Sequence, residues 1–200
     1  MITILKSGYG KIMHLFYKNK TVKLHLREIA RQTTLHEPSV TRFLHALEKE
    51  QILQSEKDGN LKKYSVKQSK RSYLIFASFD IERFEKLPNI RKNAIQTYLD
   101  HLPEQPVFAI LFGSTAKETY KEDSDIDILI ITNNKISAEE AEKEVDALTA
   151  MKVSTFHMTY KDFIKDLKMK EDKVAQSAIQ SGYPLLNHIH YYGALYNERI

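Results

Sequence analysis

The 200-residue chain contains no cysteine, which excludes disulfides and thiolate metal sites and makes a reducing cytoplasm the natural compartment. No apolar run approaches the ~20 residues of a membrane span. The opening ITILKSGYGK lacks the apolar region of a secretory leader. A soluble, cytoplasmic protein with no membrane partner is therefore expected. No internal repeat or low-complexity tract interrupts the sequence. With only 6 glycines and 5 prolines, the few that occur act as punctuation between segments.

What is present is an apolar content of 42%, enough for one sizeable domain or two small ones. Charge is unevenly spread. Residues 1–70 hold 14 Lys/Arg against 6 Asp/Glu, a net +8, whereas residues 71–200 hold 16 against 20, a net −4. A positive patch confined to the first third favours a polyanionic partner through counterion release; a solvated lysine-rich surface is the other reading.

The first third alternates helical patterns with a hairpin. In YGKIMHLFY, Ile12, Leu15 and Phe16 recur at helical spacing. In LHLREIARQTTLHEPSVTRFLHALEKEQIL, Leu26, Ile29 and Ala30 share a face, TTLH turns the chain, and Pro38 opens a second helix whose first turn does not need its missing N–H. Val40, Leu44 and Leu47 set the buried stripe of that helix, leaving Ser39, Thr41, Arg42 and His45 on or near the other side. Two strands then flank SEKDGN, and the second begins LKKYSV.

These residues resemble the winged helix-turn-helix transcription regulators over about residues 9–68. One departure is Gln51, where such regulators usually carry glycine. The resemblance implies a second helix in the major groove of double-stranded DNA, offering Ser39, Thr41, Arg42 and His45, with Lys62 and Lys63 of the wing at phosphates. Specific reading of paired half-sites implies a homodimer. A protein-docking or dimerisation role for the same module stays open.

From Ser69 to about Leu102 the pattern is helical, punctuated by Pro88 and Pro103, and reads as an apolar helical connector. The rest reads as a strand over 107–112, a turn and short helix, a strand over 126–131, a helix over 137–151, a strand over 153–158, and helices over 161–168 and 170–181 ending at Gly182. The domains expected are thus 1–68, 69–104 and 105–200, in an α/β (α+β) two-domain protein.

Within LFGSTAKETYKEDSDIDILIIT, Asp125 and Asp127 project to one side of a strand, with Cα atoms about 6.5–7 Å apart. Two carboxylates so close repel unless a cation lies between them, and oxygen ligands in this arrangement suit Mg²⁺ or Mn²⁺ shared with substrate phosphates. Gly113 permits close backbone approach, and the Ser114 hydroxyl and following N–H groups suit phosphate oxygens.

GSTA at 113–116 followed by SDIDI at 124–128 resembles the signature of the DNA polymerase beta-like nucleotidyltransferase superfamily, and within it the minimal nucleotidyltransferase domains of archaea and bacteria. The resemblance covers about residues 105–190. It implies a mixed sheet with flanking helices, a nucleoside triphosphate over the Gly113–Ser114 turn, Mg²⁺ or Mn²⁺ on Asp125 and Asp127 as the catalytic carboxylates, and Lys117 near a phosphate. Because related domains act as antitoxins on a HEPN-type partner, a protein acceptor is among its implications.

Two departures follow. Glu118 stands where many members have glycine, and the strand VSTFHM carries no third carboxylate to serve as metal ligand and base. His157 could act as a base near neutral pH, although a lone histidine on a strand is more often structural; Asp146 and Asp162, on the neighbouring helices, are not well placed. The chain thus reads as a DNA-binding protein that transfers a nucleoside monophosphate to a hydroxyl. The alternative is a transcription regulator whose nucleotidyltransferase-like domain senses nucleotide or is catalytically inactive.

Overall fold

The computed structural model describes residues 7–149 and 151–197. The chain forms two compact units, Met1–Glu82 and Arg83–Ile200. The segment read as a connector consists of two helices, α4 (Lys70–Glu85) and α5 (Asn89–Asp100). Most of α4 belongs to the first unit, and all of α5 belongs to the second.

In the first unit, α1 (Gly8–Lys18), β1 (Leu24–His25), α2 (Leu26–Thr33), α3 (Glu37–Lys49), β2 (Leu53–Asp58) and β3 (Leu61–Val66) precede α4. The apolar stripes of the three helices meet in one core, where Ile12, Met13 and Phe16 of α1, Ile29 of α2, and Val40 and Leu44 of α3 are no more than 1% exposed. Pro38 sits in the first turn of α3, as its missing N–H requires. The strands form an antiparallel sheet in the order β1-β3-β2. The arrangement is a helix-turn-helix followed by a wing.

The wing is longer than the sequence pattern implies. SEKDGN is not all turn: β2 runs through Asp58, which pairs with Leu61, and only Gly59–Asn60 connects the strands. Gly59 has φ +60° and Asn60 does not adopt positive φ, the pattern of a II′ hairpin with glycine at its first central position. The unanticipated β1 adds the pairs Leu24↔Tyr64 and His25↔Lys63. Two residues are too short a run for alternation to be seen.

The second unit contains α5, β4 (Phe108–Phe112), α6 (Gly113–Ala116), β5 (Ile126–Thr132), α7 (Glu139–Thr149), β6 (Val153–Thr159), α8 (Tyr160–Met169), α9 (Lys173–Ser181), β7 (Tyr183–Leu186) and α10 (His188–Asn197). The sheet order is β6-β5-β4-β7. β5 and β6 run parallel, while β4 is antiparallel to both β5 and β7, so the sheet is mixed, as expected.

One face of the sheet, with Ala109, Leu111, Ile126, Ile128, Ile130 and Val153, packs on α5 and α7 through Ile95, Tyr98, Ala141 and Val145. On the other face Phe108 meets Phe163 of α8 at 5.2 Å and Tyr191 of α10 at 5.6 Å between ring centroids.

Three details differ from the sequence reading. The sequence reading contains neither β7 nor α10; β7 lies at the sheet edge, where the missing donor of Pro184 is tolerated. The helix read over 170–181 begins at Lys173. Lys170 instead ends α8 in a left-handed conformation, φ +57°, and Asp172 caps α9 by accepting from the N–H groups of Val174 and Ala175. No helix among the described residues is long and apolar enough to cross a membrane.

Candidate functional site

The site forms where β4 gives way to α6 and where β5 begins. Phe112 pairs with Asp127 across β4 and β5, and Asp127 pairs with Ser154 across β5 and β6. These residues lie side by side on one face. Gly113 follows directly with φ +67°, a left-handed turn that carries the chain out of β4 into GSTA.

Glycine is required here for a second reason: a Cβ at position 113 would lie 1.9 Å from Oδ2 of Asp127. The carboxylate rests where any side chain would sit. It is half-buried and makes no hydrogen bond or ion pair with any described residue. Burial, and secondarily repulsion by Asp125, raises its pKa above the usual carboxylate range. Asp125, on the same side of the strand, thus adds to the effect of burial on Asp127.

Asp125 is more open, and Nζ of Lys152 stands 3.4 Å from its Oδ2. The backbone places that lysine, since the N–H of Ile126 donates to the carbonyl of Lys152 at 3.0 Å. The Ser114 hydroxyl has no partner among the described residues, and Lys117 is exposed and likewise unpartnered. Glu118, the missing-glycine position, adopts φ +58°. The backbone keeps the left-handed turn, with Glu118 exposed to solvent.

Two arginines hold this turn, and neither had a signal in the sequence because each lies in a segment read as connector. The guanidinium of Arg91, 2% exposed, donates to Thr115 Oγ1 at 2.9 Å and to the carbonyls of Lys121 and Ser124 at 2.8 and 3.0 Å. It also lies 4.0 Å from the ring centroid of Tyr120. It thus ties α5 to GSTA and to both ends of the loop leading to Asp125. Arg83 donates to the carbonyl of Ala116 at 2.7 Å.

On β6 the residues sharing the face of Asp127 are Ser154, Phe156 and Met158. No carboxylate occupies that face of the strand. His157 projects to the opposite face, with Nε2 3.5 Å from Tyr98 Oη and 3.3 Å from Thr155 Oγ1. Burial lowers its pKa, opposed by Glu142. It does not join the two aspartates, which removes the one base the strand offered. Asp162 is engaged with Thr159 at 2.6 Å, and Asp146 belongs to α7 on the far face.

Among the described residues no group of three or more His, Cys, Asp or Glu side chains is arranged around a common metal position. The donor set at the site is two carboxylates, one of them unpartnered. That set does not supply an all-protein cage; it could hold one divalent cation only if the remaining ligands came from elsewhere, such as phosphate oxygens and water.

In the first unit, Thr41, Arg42 and His45 are exposed on α3, and Ser39 is partly so. Thr41 Oγ1 donates to the Glu37 carbonyl at 2.9 Å, and the Arg42 guanidinium lies 5.2 Å from the Phe43 ring centroid. The wing lysines have acidic partners. Lys62 Nζ is 2.9 Å from Glu48 Oε2, and Lys63 pairs with Asp58. Hydrogen bonds from Ser55 and then Lys62 lower the Glu48 pKa, and Glu48 in turn raises that of Lys62. Both lysines remain fully charged at neutral pH.

Residues 93–189 match the model of the polymerase beta nucleotidyltransferase family, a span that contains Gly113, Ser114, Lys117, Asp125 and Asp127 but not Arg83 or Arg91. No curated protein matches the chain. Among solved structures, the chain has a likeness to Lactococcus lactis ZitR, wild type, in complex with DNA, at 14% identity and a TM-score of 0.28, covering 45% of this chain and 69% of that one. A second likeness is to TrmBL2, described as an archaeal chromatin protein with a novel mode of DNA binding, at 16% identity and a TM-score of 0.24, covering 80% and 74%. Likenesses this slight assign neither fold nor function.

Proposed function

We propose that this is a nucleotide-responsive DNA-binding protein. Its second unit binds a metal–nucleoside triphosphate at Asp125 and Asp127, over the Gly113–Ser114 turn. Its first unit binds double-stranded DNA with α3 and the wing. The observation that carries the reading is the unpartnered, half-buried Asp127 carboxylate seated on the α-carbon of Gly113. Such a group is costly to keep charged without a counter-cation.

Asp125 and Asp127 would hold Mg²⁺ or Mn²⁺, and the cation would neutralise the triphosphate and polarise its phosphorus centres. Ser114 is free to donate to a phosphate oxygen, and Lys117 to meet one as a charge. Lys152, already beside Asp125, would yield to the metal at little cost, because an exposed pair of this kind is worth at most about 1 kcal/mol.

DNA binding rests on the +8 of residues 1–70 and on the exposed row Thr41, Arg42 and His45, with Ser39 at its start. Pairing of two copies on two half-sites, transcription regulation and a cytoplasmic location belong to the same reading.

Transfer of a nucleoside monophosphate to a hydroxyl, including one on a HEPN-type protein partner, is a second reading. The paired aspartates and the Gly113–Ser114 turn favour it. Ser154 and Phe156 on β6, with His157 on the far face, disfavour it, because no described side chain is placed to take the acceptor's proton.

Radiolabelled ATP, GTP, CTP and UTP with Mg²⁺ or Mn²⁺, combined with a gel shift on duplex DNA with and without nucleotide, test the two. Retained label-free protein and a nucleotide-dependent shift support the sensor. Label covalently transferred to protein, and lost in Asp127→Asn, selects the transferase.

A further inference from the structure

Phe156 is a large aromatic side chain left 36% exposed on the same face of the sheet as the two aspartates. Register fixes the face: Asp127 is level with Ser154, and Phe156 follows Ser154 by two residues, level with Leu129. An independent contact agrees. The Phe156 ring lies 5.7 Å from that of Phe112, tilted by 59°, and Phe112 is paired directly with Asp127.

Phe112 is itself 6% exposed and supports one side of the Phe156 ring, while about a third of Phe156 stays open to solvent. From strand spacing and rise, the Cα atoms of Asp127 and Phe156 are about 8 Å apart. That is a separation one sugar ring can bridge. Between them stands Ser154, whose hydroxyl has no partner among the described residues.

We propose that Phe156 is a stacking platform for the nucleobase of the triphosphate whose phosphates and metal sit at Asp125 and Asp127, with the Ser154 hydroxyl facing the ribose. This rests on the metal–triphosphate reading above and adds the subsite that distinguishes a nucleotide from a bare polyphosphate. The site thus has a metal-phosphate end and an aromatic end on adjacent strands.

The same geometry sets the ligand class. Stacking is tolerant of base identity because every base offers a π face. The side chains nearest the ring on this face are Phe112, Leu129 and Met158, which offer no strong hydrogen-bonding group to a base edge, and Ser154, whose hydroxyl lies on the side toward Asp127. Purine nucleoside triphosphates, with the larger face, are held more tightly than pyrimidine ones, and ATP and GTP are held alike.

The chain contains no tryptophan, so Phe156→Trp introduces a single indole reporter at an exposed position that accepts it. The expected result is quenching of its fluorescence by Mg-ATP and Mg-GTP but not by Mg-tripolyphosphate. In parallel, calorimetry of the otherwise wild-type chain compares Mg-ATP with Mg-tripolyphosphate, and repeats both with Phe156→Leu and Asp127→Asn.

Phe156→Leu keeps an apolar side chain without the ring. It is expected to weaken Mg-ATP about tenfold or more, the usual loss of one base stack, while leaving Mg-tripolyphosphate unchanged; Asp127→Asn weakens both. Equal loss of both ligands in Phe156→Leu, no loss of either, or equal binding of ATP and UTP by the wild type overturns the platform and leaves the metal-phosphate reading standing. Failure of the wild type to bind either ligand overturns both.

Discussion

Oδ2 of Asp127 occupies the space that a Cβ at Gly113 would need, 1.9 Å from the position such an atom would take. One residue from β5 thereby dictates glycine at the end of β4. The turn and the carboxylate form a single feature, each placed by the other.

Gly113→Ala therefore has two effects. Alanine at φ +67° costs about 1–2 kcal/mol of left-handed strain, and the methyl group expels the carboxylate. The expected outcome is a lowered midpoint of thermal unfolding together with loss of Mg-nucleotide binding by calorimetry. Binding at wild-type affinity would show that the carboxylate position is not needed.

Asp127→Asn should separate stability from binding. Burial and Asp125 raise the Asp127 pKa in the folded chain, so in the window between the unfolded and folded pKa values the folded state binds more protons than the unfolded one. Stability then falls as pH rises through that window. Removing the charge relieves this cost. Denaturant unfolding at pH 7 without metal should find Asp127→Asn at least as stable as the wild type, and the difference should shrink toward acid pH. Metal–nucleotide binding should be lost in the same variant.

Arg91→Ala leaves the Thr115 hydroxyl and two loop carbonyls without their donor and opens space beside Tyr120. Removing a buried, multiply bonded guanidinium of this kind costs on the order of 3 kcal/mol. Chemical denaturation checks the magnitude. Limited proteolysis should find new cleavage between Lys117 and Asp125, the loop that Arg91 ties down at Lys121 and Ser124.

The wing lysines can be tested through their acidic neighbours. Glu48→Gln frees Lys62 and should tighten binding to duplex DNA severalfold at low salt. It should also steepen the salt dependence by about one unit of log–log slope. Adding Lys62→Ala should reverse both effects, and Arg42→Ala should weaken binding to a specific site. No change in a gel shift for any of the three would exclude this face from the interface.

Much of this was legible in the sequence because it depends on local pattern. Val40, Leu44 and Leu47 marked the buried side of α3, and the alternation through SDIDI placed both aspartates on one side. The two positions where the chain lacks an expected glycine, Gln51 and Glu118, both keep positive φ, +58° in each case. The turn survives the substitution.

For Gln51 the compensation is visible. Its Nε2 donates to the Glu48 carbonyl at 3.3 Å, its Oε1 accepts from Lys67, and its carbonyl accepts from Ser69 Oγ at 3.3 Å. Gln51→Val, with β-branching at a left-handed position, should accordingly destabilise by about 1–2 kcal/mol. Gln51→Gly should stay within about 0.5 kcal/mol, because relief of strain offsets the lost bonds. Thermal unfolding of both variants checks this.

What the sequence hid depends on tertiary pairing. β7, a four-residue strand carrying Pro184, went unread because edge position cannot be read from one strand. Arg91 lies in the segment read as a connector, and only the folded chain shows it buried and bonded to the GSTA turn. The face assignment on β6, with Phe156 beside Asp127 and His157 turned away, required the register of β5 and β6, which no single segment encodes.

The central claim, that Asp125 and Asp127 hold a metal–nucleotide, is tested most directly by titrating Mg-ATP into the wild-type chain and into Asp125→Asn/Asp127→Asn by isothermal calorimetry, each with and without EDTA. The account predicts saturable, Mg²⁺-dependent binding to the wild type and none to the double variant. Equal heats from both proteins, or undiminished ATP binding in EDTA, would contradict it.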